Sequence, residues 1–281
     1  MADEFRIFVV LDPTCMEQDA LIWGEQIAQA VSDRGENQPI LHVYCCINAD
    51  SVTVSSAESE SLIREETGKR VSAWIERLVA GSRDRGTDVA VEVEWNDDWR
   101  SAIPAAANRA QSSIVVKNMT QHSRFVRMIR ETADWTLIRK CECPVLLVKT
   151  GRLHNIEKVL VAVKYNPEDD AYEKANDRIL DTARRLTATL GASMQVVTAY
   201  ADAASQPDRQ RFADRCGLNR NQVSAAMGPP EKVIAETTER QNCDLLIIAR
   251  VARPGSQKDM GGTAIKVIDS VDREVLVLPV A

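Results

Sequence analysis

Residues 7–11 read Ile7-Phe8-Val9-Val10-Leu11 and stop at Asp12-Pro13; residues 159–163 read Val159-Leu160-Val161-Ala162-Val163 and stop at Lys164. Short continuous apolar runs closed by a turn suit strands buried on both faces, the condition of a strand inside a parallel sheet. The same succession of elements comes after each run. The first leads to an apolar-striped helix over about 17–33, a strand over 40–47, a long helix over about 58–84 and a strand over 88–95. A helix over about 98–111, the strand 114–116, a helix ending near Arg139-Lys140 and the strand 145–148 complete the series. The strand at 88–95 alternates with period two, as a half-exposed or edge strand does.

After the second run come a helix over about 168–190 stopped by Gly191, a strand over 193–200, a helix over about 206–216 and a strand over 222–227. Pro229-Pro230 opens a helix to about 241, and the strand 245–248, a helix over 263–271 and the strand 275–278 close the chain. Strands alternating with helices make βαβ units and parallel sheets. The pattern predicts an α/β chain of two tandem domains, 1–150 and 151–281, joined by a short linker near Thr150 to Asn155. A single ten-stranded domain ranks below this, because each half completes its own five-strand series.

The 281 residues fit two domains. With 44% hydrophobic and 27% charged residues there is enough apolar material for a core, and the 5% aromatic content makes that core one of Val, Ile, Leu and Ala. The net charge of −6 argues against coating nucleic acid or an anionic membrane. That excess lies in the first half, with 17 Lys and Arg against 23 Asp and Glu; the second half balances 18 against 18. No stretch approaches 18 consecutive apolar residues and the N-terminus lacks a signal-peptide pattern, so the expectation is a cytoplasmic protein without membrane insertion. Seven cysteines suit a reducing compartment; Cys45-Cys46 and Cys141-x-Cys143 are the close sets, and neither has zinc-finger spacing. They read as small apolar side chains in or near strands, and no metal site is expected.

One stretch carries a family signature. Asp134-Trp135, then Leu137-Ile138-Arg139-Lys140-Cys141, then Pro144-Val145 resembles the segment before the last strand in tandem, E-type members of the universal stress protein family. Val93-Glu94-Trp95, Lys117, and Gly262-Thr263-Ala264 ahead of Val275-Leu276-Val277 fit the same type. The resemblance implies two Rossmann-like (adenine nucleotide alpha hydrolase-like) domains. Each is a five-stranded parallel sheet of order 3-2-1-4-5, and the two form an intramolecular pseudo-dimer through their last strands, 145–148 and 275–278. It also implies a role in stress survival; a further homodimer is an expectation beside it.

In this class of fold, ligands sit beyond the carboxyl ends of strands one and four. ATP-binding members of the family carry Gly-x2-Gly-x9-Gly-[Ser/Thr] there, with an aspartate ending strand one. Glycines let backbone N–H groups approach phosphate, and the helix N-terminus favours negative charge. Neither half keeps the whole pattern. The first has the aspartate, Asp12, but Lys117 leads the loop and no glycine occurs between Gly86 and Gly151. The second ends correctly, with Gly261, Gly262 and Thr263, but has Ala249, Arg250, Val251 and Ala252 in the Gly-x2-Gly position and Lys164 for the aspartate.

Two readings stay open at each place. Gly261, Gly262 and Thr263 are a residual nucleotide site, with Lys164, Arg250 and Arg253 adding charge, or a loop and a helix cap. Lys117 with Arg124, Arg127 and Arg130 is an anion pocket, or a solvated basic face. Asp134 and Trp135 are a pocket wall, or a cap beside a core tryptophan. With no Gly-x-Ser-x-Gly, no His-x3-His, no Walker loop and three scattered histidines, the residues favour binding over catalysis. The expected function is a stress-response binding or regulatory module with degenerate nucleotide sites. The alternatives are an ATP-binding switch or weak ATPase through the second domain, or a carrier of an apolar small molecule.

Overall fold

The two apolar runs become the central strands of a parallel five-strand series in each half of the chain. A computed structural model describes residues 4–35, 38–48, 57–119, 133–149, 155–165, 170–251 and 262–280. The chain divides into two compact units, Met1–Arg152 and Leu153–Ala281. In unit 1 the order is β1 (Phe5–Leu11), α1 (Asp19–Arg34), β2 (Pro39–Ile47), α2 (Ala57–Asp84) and β3 (Asp88–Trp95). It continues with α3 (Trp99–Arg109), β4 (Ile114–Asn118), α4 (Ala133–Lys140) and β5 (Val145–Val148). The strands lie parallel in the order β3-β2-β1-β4-β5, with Val9 of β1 in register with Val43 of β2 and Val116 of β4.

Unit 2 runs β6 (Lys158–Ala162), α5 (Asp170–Leu190), β7 (Ser193–Tyr200), α6 (Arg209–Cys216) and β8 (Val223–Met227). It ends with α7 (Pro230–Arg240), β9 (Leu245–Val251), α8 (Gly262–Ser270) and β10 (Glu274–Val280). Its strands repeat the order as β8-β7-β6-β9-β10. The strand order that the resemblance implies is therefore observed within each unit. In both, strands one and four are neighbours whose outgoing connections leave in opposite directions, which opens a crevice at their carboxyl ends.

The repeat extends to turn chemistry. α3 and α7 each end with a non-glycine residue of positive φ, Gln111 at 51° and Asn242 at 48°. In each case the next amide reaches back five residues, Ser112 N–H to Ala107 O (3.2 Å) and Cys243 N–H to Thr238 O (3.0 Å). Such a closure satisfies helix-end carbonyls and turns the chain sharply into a strand. The residue after that accepts from the first strand: Ser113 Oγ from Arg6 N–H (3.1 Å), Asp244 Oδ2 from Lys158 N–H (2.9 Å). Strand four is thus fastened to strand one at the end opposite the crevice.

The core matches the aliphatic composition: Ile7, Phe8 and Val9 in β1 and Val159, Leu160 and Val161 in β6 are fully buried. His42 is a polar exception on β2. Its ring lies 4.9 Å from that of Phe8, and Nε2 stands 3.0 Å from Glu92 Oε2 on β3. Burial is the largest influence and lowers its pKa below the ordinary 6.5; Glu92 opposes this, while Arg6 and Arg109 add to it. The folded protein therefore holds His42 neutral at pH values where the unfolded chain protonates. Stability should be intact above pH 6.5 and decline as pH falls below it, by at most about 1.4 kcal/mol per pH unit for one proton. All five tryptophans, at 23, 74, 95, 99 and 135, belong to unit 1, so their fluorescence reads its unfolding alone. Denaturant midpoints at pH 6.5 and 5.5 should separate in the parent and converge in His42→Gln.

Candidate functional site

In unit 1 the described residues at the crevice are bonded to one another. Asp12 lies just past β1, and its backbone is bracketed by Gln18: Asp12 N–H donates to Oε1 (3.2 Å), and Nε2 donates to Asp12 O (2.7 Å) and Cys15 O (2.8 Å). The Asp12 carboxylate accepts from Thr14 N–H (2.9 Å) and Thr14 Oγ1–H (2.6 Å). Burial pushes its pKa up, but the hydrogen bonds from Thr14, helped by Cys15 and Lys117, outweigh this and hold it below the usual range. Asp12 is therefore an ionised turn-former.

At the end of β4, Lys117 and Asn118 are both 8% exposed. Lys117 Nζ donates to Asp134 Oδ1 on α4 (2.8 Å) and to Asn118 O (2.8 Å). Asn118 Oδ1 accepts from Ala20 N–H (2.6 Å) in the first turn of α1, and its Nδ2 donates to Glu17 O (3.2 Å). A helix N-terminus is where a phosphate would dock. Here an asparagine oxygen from the neighbouring strand already serves a first-turn amide, and a carboxylate already serves the lysine. Asp134, buried in the first turn of α4, is the counter-ion of Lys117. Arg124, Arg127 and Arg130 lie outside the described residues.

Unit 2 keeps the frame and leaves space within it. Lys164 lies just past β6, and Asn176 brackets its backbone as Gln18 brackets Asp12: Lys164 N–H donates to Oδ1 (3.1 Å) and Nδ2 donates to Lys164 O (2.8 Å). The two brackets show that Asp12 and Lys164 hold equivalent places with opposite charge. Lys164 Nζ stands 4.3 Å over the Tyr172 ring, a cation–π contact that aims the ammonium along α5.

Beside them is a cavity of about 550 Å³, within the range of small-molecule sites. Ala162, Val163, Val197 and Ile248 form an apolar floor from the strands, and Ile179 and Ile234 add helix walls. Ala249, Gly262 and Thr263 line the side where β9 ends and α8 begins, with Lys266 one turn along. A Cβ on Gly262 would meet nothing within 4 Å, so a ligand has room to approach that backbone. Among the described residues, the lining includes two lysines and no carboxylate. Lys266 has a carboxylate nearby, Glu231 at 3.7 Å, but is largely exposed. A low-dielectric pocket lined by one sign of charge concentrates the opposite charge.

Lys164, Ala249, Gly262 and Thr263 thus meet at one cavity, while Arg250 is on β9 outside its lining. α8 starts at Gly262, so Thr263 stands inside its first turn and not at the cap. Ala252 and Gly261 lie outside the described residues. The brackets Gln18 and Asn176, the cap Asn118 and the stacking Tyr172 have no motif to announce them. For the two brackets, the signal is a carboxamide beside an apolar helix stripe. Among the described residues, no three His, Cys, Asp or Glu side chains stand close enough to hold a metal ion. No described helix is long and apolar enough to cross a membrane.

The sequence profile of the universal stress protein family matches residues 5–149, and the chain belongs to that family. The likeness is to its tandem, E-type members. It is 26% identical to universal stress protein E of Escherichia coli (strain K12) over 306 aligned positions, covering 99% of this chain and 95% of that protein. A solved structure from Pseudomonas aeruginosa UCBPP-PA14 shares the fold at 24% identity, with a TM-score of 0.75 over 98% of this chain and 93% of that one. A shorter structure, a universal stress protein in complex with cAMP, matches 46% of this chain and 100% of its own length at 16% identity and a TM-score of 0.34.

Proposed function

We propose that this protein is a stress-response binding module that works through one ligand site, the cavity of unit 2. Its ligand is anionic with a planar or apolar body, and an adenine nucleotide such as ATP is the leading class. The observation that carries this reading is the lining: two lysines, an apolar floor and an open glycine at the start of α8, with no carboxylate among the described residues. An anion placed there gains from both ammonium groups and from the helix dipole. In unit 1 the corresponding groups are engaged with one another. The proposal therefore gives one site per chain and assigns binding without turnover.

Titration calorimetry with ATP, with and without Mg²⁺, tests it. Binding should appear with a stoichiometry of one. Lys164→Glu should weaken it at least tenfold, about 1.4 kcal/mol, by reversing a charge that faces the ligand. Asp12→Ala should leave it unchanged. Absence of heat at millimolar ATP sinks the nucleotide assignment. Native mass spectrometry then decides between an empty pocket and a co-purified apolar molecule, the carrier outcome.

A further inference from the structure

Cys141 and Cys143 flank Glu142 in the bend that carries the chain from α4 into β5, and their Sγ atoms stand 3.5 Å apart. We propose that this pair is an oxidation site, a dithiol that a small disulfide converts into an intramolecular Cys141–Cys143 disulfide. The inference does not depend on the unit 2 ligand.

Two sulfurs at 3.5 Å are in contact, and a disulfide bond is about 2.05 Å, so about 1.5 Å of approach is needed. The approach falls within a bend whose ends are held. Cys141 N–H donates to Leu137 O (2.9 Å) on the helix side, and Pro144 O accepts from Val115 N–H (2.9 Å) on the sheet side. Access is graded. Cys141 is 1% exposed, while Cys143 is half-buried, so a reagent from solution meets Cys143 first and Cys141 stands behind it. Cys45 and Cys46 are also close in sequence, but as consecutive residues of β2 their side chains point to opposite faces of the sheet.

The chemistry balances with a disulfide RSSR as oxidant. The Cys143 thiolate attacks one sulfur of RSSR, the S–S bond breaks, and RS⁻ leaves. Cys141, after losing its proton to water, attacks Cys143 Sγ in the mixed disulfide, and the second RS⁻ leaves. Two protein thiols are oxidised and RSSR is reduced to two thiols. The hydrogen bond with Cys141, together with burial, holds the Cys143 thiol well above its ordinary range. The step is therefore slow at neutral pH and should quicken about tenfold per pH unit between pH 7 and 9, as the thiolate fraction grows. The bond would fix the bend beneath α4, the helix whose Asp134 holds Lys117.

The test treats the full chain with glutathione disulfide at pH 8.5, alkylates what stays reduced, and digests with trypsin. Cleavage after Lys140 and Lys149 gives one peptide, 141–149, with both cysteines and no other. The expected peptide has lost two hydrogens and regains them with dithiothreitol. Cys143→Ser should abolish the loss, while Cys15→Ser should leave it intact. Cys15 is exposed and reports that the oxidant was active. A doubly alkylated 141–149 in a sample whose Cys15 carries glutathione overturns the proposal, as does a stable glutathione adduct on Cys143 with Cys141 still alkylated.

Discussion

Asp134→Ala should lower the stability of unit 1 by about 3–5 kcal/mol, the range expected when one partner of a buried ion pair is removed. The cost arises from what remains. Lys117 has a side chain 10% exposed and Asp134 one 6% exposed, so the alanine takes from a buried ammonium a carboxylate it donates to at 2.8 Å. The Asn118 carbonyl still accepts a hydrogen bond, and the Asp12 carboxylate still offsets part of the charge. Removing both charges with similar volume is a different experiment. Lys117→Met with Asp134→Leu should recover most of the loss, because neither desolvated charge is then present. Guanidinium unfolding monitored by tryptophan fluorescence measures unit 1 selectively, and the midpoint shift at unchanged slope gives the difference. An Asp134→Ala midpoint equal to that of the parent would show that the pair is hydrated in solution.

The same pair explains why two copies of one fold differ as sites. Among the described residues at the unit 1 crevice, Lys117 pairs with Asp134, Asn118 with the amide of Ala20 and Asp12 with Thr14. A ligand would have to displace bonds already made, and its binding would be reduced by their worth. In unit 2 the equivalent bracket positions Lys164 against Tyr172, a weaker contact from which an ammonium can turn to an anion at small cost. Duplication kept the backbone frame, visible in Gln111 and Asn242 and in the two carboxamide brackets. The side chains at the carboxyl ends differ between the units, while this frame is shared.

Strands with strong periodicity were legible to the residue: 88–95 and 193–200 lie where the alternation and β-branched content place them. The apolar run of β4 stops at Val116 because Lys117 and Asn118 are polar, yet the strand runs to Asn118. Those residues stay in the ladder because their polar groups find partners inside the fold. β9 likewise continues past Ile248 through Ala249 and Arg250 to Val251. The helix expected from 206 begins at Arg209, because Asp208 caps it through the Arg211 amide and Pro207 disfavours helical geometry just before it. Side-chain pairing was not legible. Lys117 and Asp134 are 17 residues apart, and no periodicity links a lysine ending a strand to a carboxylate in the next helix. The charge reversal from Asp12 to Lys164 was visible, but its meaning depends on the brackets, which only the structure reveals.

Gly24→Val is the other substitution with a large expected cost, about 2–3 kcal/mol of unit 1 stability. Gly24 lies inside α1, where a helix ordinarily gains about 0.5–1 kcal/mol from replacing glycine by alanine. Here packing opposes propensity. A Cβ at Gly24 would overlap Val9 Cγ2 and stand 3.0 Å from Leu41 Cδ1, side chains of the two strands that α1 covers. Both are fully buried, so neither can swing into solvent to make room. Valine adds two methyls beyond the Cβ and has little rotamer freedom to avoid the sheet, so overpacking wins. Gly24→Ala should cost less, since its gain in propensity offsets part of the clash. Combined with Val9→Ala, which removes the overlapping methyl, it should be better tolerated than the sum of the single changes, by about 1 kcal/mol. Gly68 provides the contrast. It lies in α2 with nothing within 4 Å of a Cβ, so Gly68→Ala should stabilise by about 0.5–1 kcal/mol in the same fluorescence assay. Opposite signs at these two helical glycines would show that the approach of α1 to β1 and β2, and not helix propensity, selects glycine at 24. Matching signs would remove that explanation.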